Sequence, residues 1–138
     1  MTHSLISTPY SKVGHYAPYS APAVVVPANA KTIYIQGQVP WDDELNVVAE
    51  GDFKEQVRQV FRNLQYVVEQ AGGTLNDLVH TLIFLKDMDQ FDPDFLSVRT
   101  EFYPIGGYSP PATVVEVRRL ALDPVMVEIH AVAAIVEA

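Results

Sequence analysis

The 138-residue chain contains no cysteine. That absence removes a disulfide framework, a thiolate nucleophile and a cysteine metal site, and it leaves the redox compartment unmarked. Basic residues are scarce as well: nine Lys and Arg stand against seventeen Asp and Glu, for a formal charge of −8. Nucleic-acid affinity comes mainly from cations that neutralise phosphates, so no nucleic-acid partner is expected. No apolar run approaches the ~18 residues of a membrane span, and no membrane partner is expected either. The first fourteen residues lack the charged-then-apolar order of a signal peptide, so the expected location is cytoplasmic. What is present is an ordinary globular balance, 49% hydrophobic and 19% charged. It suits a single domain spanning 1–138 with a sizeable core.

The opening twenty residues, rich in polar groups and carrying Pro9 and Pro18, show no period and read as an irregular arm that frays or docks on a neighbour. Val24–Val26 and Thr32–Gln38 read as strands. Gly37, inside the second, signals a bulge or a close approach of another group to the backbone. Asp52 followed by Glu55 predicts a helix start, and Val57, Val60, Phe61, Leu64, Val67, Val68 and Ala71 recur at helical spacing until Gly72 and Gly73. Leu78–Leu85 is a continuous apolar strand. Asp92-Pro93 predicts a second helix start, with Phe95, Val98 and Phe102 as its inward stripe. The remainder reads as a hairpin of Thr113–Leu120 and Val125–Val136 around the turn ALDP. The order of elements implies an α+β fold, a mixed β-sheet with two helices packed on one face.

If Val115, Val117, Val127 and Ile129 face the helices, then Ala112, Val114, Glu116, Arg118, Met126, Glu128, His130 and Val132 face away. Half of these are apolar, so the bare face predicts a homo-oligomer. The hairpin register also sets Arg118 opposite Glu128 and Glu116 opposite His130. Two readings of these pairs stand side by side. One is cross-strand charge contacts worth under ~1 kcal/mol each. The other is an acid-base group in an intersubunit cleft, where partial burial would shift its pKa.

Other signals lead nowhere. Asp87, Asp89, Asp92 and Asp94 lack the Gly and distal Glu of a calcium loop, and His3, His15, His80 and His130 are scattered, so no metal site is expected. Ser109 has no nucleophile-elbow context. Trp41 and Tyr34 are more often core or interface aromatics than ligand platforms.

Taken together, APYSAPAVV, IQGQVP, QVRQVFRNLQYVVEQAGGTLNDLV, HTLIFLKDMDQF, PPATVVEVRRL and VEIHAVAAIV resemble, in that order, the reactive intermediate deaminase family, called Rid or YjgF-like. The likeness runs over about residues 14–136. It implies a chorismate mutase-like fold, a homotrimer, and sites in the clefts between subunits. It further implies hydrolysis of reactive enamines and imines such as 2-aminoacrylate, with no cofactor and no metal. The family glutamate falls on Glu128, with His130 as a possible proton partner. Tyr19 stands where the family has a tyrosine after proline. Gly37 follows Gln36, where deaminating members carry Ser, and the helix asparagine falls near Phe95. The arginine that grips the substrate carboxylate aligns with Ala112. Its loss would remove ~2–5 kcal/mol of charge-assisted contact. Arg118, further along the same strand, is the candidate replacement, while Phe95, Ala112, Val114 and Val132 imply a more apolar cleft than usual. The expectation is therefore a divergent member, acting on an imine, enamine or related small molecule other than 2-aminoacrylate, or a trimeric small-molecule binder without turnover. Ribonuclease action, which the family also implies, is opposed by the charge of −8.

Overall fold

A computed structural model describes residues 3–9 and 13–137 of the chain. In chain order the elements are β1 (Ser4–Ile6), β2 (Ala23–Val25), β3 (Ala30–Gln38), α1 (Phe53–Gln70), β4 (Leu78–Leu85), α2 (Leu96–Phe102), β5 (Ala112–Glu116) and β6 (Val127–Val136). β1 and β2 pair antiparallel as a small ribbon. The other strands form one mixed sheet in the order β3-β6-β4-β5, with β6 antiparallel to both neighbours and β5 parallel to β4. Both helices lie on one face of it, giving the α+β architecture that the apolar periodicities predict.

α1 forms where its caps and stripe agree. The Asp52 carboxylate accepts the Glu55 amide at 3.1 Å, satisfying a donor that has no partner within the helix. Beyond Gln70 the chain turns left-handed at Gly72, where φ is +92°, and the Gly73 amide donates back to the Val68 carbonyl at 2.9 Å. Val57, Val60, Leu64 and Val68 are wholly buried against Ile129, Ala131 and Ala133 of β6, among others. Each such side chain contributes about 1.5–3 kcal/mol of burial free energy.

Several expectations fail, and each failure has a physical cause. Part of the N-terminal stretch is a strand, β1, because its backbone finds a partner in β2. The second helical segment leaves from Asp92, whose extended backbone (φ −129°, ψ 118°) is that of a helix-flanking residue, but its first turn is wide and regular α-helix begins only at Leu96. The Asp92 carboxylate caps nothing and instead meets His15. Most consequential, the last two strands are not a hairpin. β4 lies between them, with Phe84 opposite Val115 on one side and Glu128 on the other. The proposed Arg118–Glu128 and Glu116–His130 pairs therefore do not exist, and the Glu116 carboxylate accepts the Met88 amide at 2.9 Å. The face assignment holds for β6 but is inverted for β5. Val114 pairs with Ile83, which in turn pairs with Ile129, so Ala112, Val114 and Glu116 lie on the helix side. Val115 lies on the bare side and is 36% exposed.

Two polar devices fasten this arrangement. Gln56 is wholly buried on α1; its Nε2 donates to the Pro124 and Val48 carbonyls, and its Oε1 accepts the Met126 amide at 2.9 Å. It thereby holds the segment that leads into β6. Arg58 joins the helices, with Nε and Nη2 on the Glu101 carboxylate at 2.9 and 2.8 Å and Nη1 on Glu55 at 3.1 Å.

Gln56→Leu should lower unfolding free energy by about 2–3 kcal/mol, because buried backbone groups lose their partners. Urea denaturation should show a lower midpoint at unchanged slope. Arg58 holds the carboxyls of Glu101 and Glu55 below their ordinary value of 4.5 through hydrogen bonds. A carboxyl whose folded value is depressed contributes stability above its unfolded value and loses it as pH falls through the folded one. The stability difference between the native chain and Arg58→Gln should thus be present at neutral pH and vanish on acidification below about pH 4.5.

Candidate functional site

On the helix side of the sheet, α2 stands off from β5 and leaves a cavity of about 640 Å³. That volume lies in the range of small-molecule sites. Its floor is Ile83, Ala112 and Val114; its far wall is Phe95 with Leu96 and Arg99 of α2; Met88, Asp89, Phe91 and Asp92 close one end. The N-terminal arm supplies the remaining wall through Tyr16, Tyr19 and Ser20. The arm thus covers a cavity in its own chain. It is fastened there: Ser20 Oγ accepts the Ala112 amide at 3.1 Å, Ser109 Oγ donates to the Pro18 carbonyl, and His15 Nε2 lies 2.8 Å from the Asp92 carboxylate. The Tyr16 and Phe91 rings meet at 5.9 Å, and Phe91 stacks on Phe95 at 5.6 Å.

Arg99 is the unusual member of this lining. It is 4% exposed, and neither Nη1 nor Nη2 has a hydrogen-bond partner among the described residues. Its guanidinium lies 5.0 Å from the Tyr103 ring centre. Burial pulls its pKa below the ordinary arginine value, with opposing contributions from Tyr103 and Tyr19. Tyr103 is buried in turn, and that burial raises its own pKa.

The predicted site residues fall into separate groups. Tyr19, Phe95, Ala112 and Val114 come together in the cavity. Gln36, Gly37, Glu128 and His130 lie elsewhere, at the β3–β6 edge and on the bare face of the sheet. There β3 bulges between Ile35 and Gln38, and a Cβ at Gly37 would run into the Glu128 carboxylate. Both meanings of that glycine hold at once. Glu128 is half-buried beside Phe84, Val117 and Arg119. The His130 ring lies 6.2 Å from that of His80, and its Nδ1 is buried without a partner among the described residues. Arg118 is exposed and lines no part of the cavity. Among the described residues no group of His, Asp and Glu converges to hold a metal, and no helix is long and apolar enough to cross a membrane.

The family model described as Endoribonuclease L-PSP matches residues 10–135. The chain belongs to the Rid family. A Sulfurisphaera tokodaii RutC family protein is 44% identical over 93 residues, 67% of this chain and 71% of the relative. The 2-iminobutanoate/2-iminopropanoate deaminase of Salmonella typhimurium is 36% identical over 101 residues, 73% of this chain and 77% of that enzyme. Among solved structures, the Rid-family protein YyfB of Yersinia pestis superposes with a TM-score of 0.83, covering 98% of this chain and 100% of that one. At 24% identity that likeness speaks to the fold.

Within this Rid-family fold, sequence reading overlooked Arg99, Tyr16, Phe91 and Leu96. A signal for Arg99 existed. It stands four residues after Phe95 and three before Phe102, so helical spacing puts an arginine inside an otherwise apolar stripe.

Gly37→Ala should push the Glu128 carboxylate, the end of a flexible side chain, aside at a cost of up to about 1 kcal/mol. Placed in a Glu128→Ala background, the same change should cost measurably less. A double-mutant cycle by denaturant titration measures that coupling, and additive effects would sever the two residues.

Proposed function

We propose that this chain is a cofactor-independent hydrolase of reactive imines or enamines, acting in the cytoplasm within clefts between the subunits of a homotrimer. The observation that carries this reading is the arm-covered cavity of about 640 Å³ with its predominantly apolar, aromatic wall, in a member of the Rid family. The relative named 2-iminobutanoate/2-iminopropanoate deaminase supports the reaction class. Support for assembly comes from the bare face of the sheet. It exposes Tyr34 at 81% and Val115 at 36%, beside the part-buried Leu82, Phe84 and Val132. Apolar surface of that kind favours burial against a second copy.

The reaction adds water to the carbon of a C=N bond. Collapse of the tetrahedral adduct then restores a carbonyl and releases ammonia. Within one chain, Glu128 and the cavity lie on opposite faces of the sheet. In the proposed trimer, Glu128 of a neighbouring copy reaches the cavity, orients or deprotonates water, and exchanges protons with His130. Tyr19 of the cavity's own chain contacts the substrate, and Gln36 and the Gly37 amide do so from the neighbouring copy, beside its Glu128. The apolar lining at Phe95, Ala112 and Val114 favours substrates bulkier than 2-aminoacrylate.

Ammonia release from imines freshly made by an amino-acid oxidase tests the reaction, with light scattering for the mass. The expected result is a trimer that accelerates release from aromatic imines, with Glu128→Gln slowing it by roughly 10²-fold or more. Undiminished turnover in that variant, or a monomer, would overturn the proposal. A second reading, binding without turnover, is favoured by one feature: the cavity's Asp92 is already engaged by His15 and Tyr16. Thermal stabilisation by ligands with no ammonia released would establish it.

A further inference from the structure

Arg99 is in a state that folding alone does not explain. A buried cation is costly unless its charge is met, and arginine does not escape by losing its proton. The ring of Tyr103 meets one face of the guanidinium through a cation–π contact, leaving Nη1 and Nη2 without acceptors among the described residues. The cavity holds two carboxylates, Asp89 and Asp92, but neither hydrogen-bonds to Arg99, and Asp92 is held at the arm by His15 and Tyr16. Such an uncompensated buried charge is the kind of feature retained at functional sites at the expense of stability.

We propose that Arg99 is the anion anchor of this cavity, and that its ligand is a small monocarboxylate with an aromatic or bulky apolar body. The inference rests on the cavity being the substrate site, and it moves the anchor from β5, where Ala112 aligns with the family arginine, to α2. Arg99 and Ala112 line the same cavity, so a methyl group at 112 leaves room for the carboxylate to meet the guanidinium from above β5. The planar fork accepts a carboxylate through two parallel hydrogen bonds, which lysine cannot reproduce. The rest of the ligand lies among Tyr16, Tyr19, Phe91 and Phe95. One cation matches one negative charge. A phosphate dianion would bring a second negative charge beside Asp89 and Asp92, into a lining that holds no second lysine or arginine among the described residues.

The test is calorimetric titration of the full chain with phenylacetate and with phenylacetamide, its neutral counterpart of the same shape. Native protein should bind the acid at least about tenfold more tightly than the amide. Arg99→Met should weaken the acid by roughly 30-fold or more while leaving the amide unchanged, and Arg99→Lys should recover part of the loss. Without ligand, Arg99→Met should melt no lower than the native chain, since it removes a buried unpaired charge. Equal binding of acid and amide by native protein would overturn the proposal, as would acid affinity that survives in Arg99→Met. A carboxylate from a second copy already paired with Arg99 would give the first of these results. If Arg99→Met fails to fold, the acid-to-amide ratio in native protein and Arg99→Lys still decides. The outcome is separable from the reaction class. Acid binding without ammonia release would sink the hydrolase and keep the anchor. Ammonia release from a carboxylate imine with unchanged KM in Arg99→Met would do the reverse.

Discussion

The fold turns on β4 lying between β5 and β6. This long-range pairing joins Leu78–Leu85 antiparallel to β6 and parallel to β5, and it decides which face every residue of β5 presents. Side chains alternate with period two, so once Ile83 is set under the helices its parallel partner Val114 must follow. Ala112 and Val114 are thereby carried to the cavity, while Glu128 and His130 stay on the bare face. Had β5 and β6 formed the hairpin that their proximity in sequence suggests, all four would share one side. The division of the candidate site between two faces is thus a consequence of strand order.

Two arginines on the helical layer show how strongly context governs the same side chain. Arg58 is partly exposed and doubly paired, and the carboxylates around it are stabilised in their charged form. Its energetic contribution is modest, as for surface pairs generally, but its geometry clamps α2 to α1 through Glu101. Arg99 sits two residues earlier on the same short helix and points inward, where burial without hydrogen bonds makes charge costly. α2 is held from outside by Glu101 and from inside by wholly buried Phe95 and Val98. That grip is what allows one seven-residue helix to carry an unpaired cation into a cavity wall.

Local regularity was legible in the residues themselves. The Asp52 cap, the α1 stripe, the Gly72 stop and the Gly37 bulge need only near neighbours or one period of repetition, and each is present. The site was legible only in part. Tyr19, Phe95, Ala112 and Val114, which the resemblance located singly, share the cavity because the strand order and the docked arm bring them there. Arg99 was hidden in an apolar stripe, and the second helix becomes a regular α-helix only at Leu96, after a wide first turn in which the Asp92 carboxylate meets His15 of the arm instead of capping.

By itself, then, the sequence determined the α+β layering, the identity of most core positions and the family. The first two follow from periodicities and caps that act over a few residues, and the family from the order of segments spread along the whole chain. The tertiary structure alone decided which strands are neighbours, which face of β5 lines the cavity, that the arm closes over its own chain, and that Arg99 is buried without a partner. These depend on contacts between residues far apart in the chain. Alternation tells which residues lie together on a face; only the pairing of strands tells which face that is.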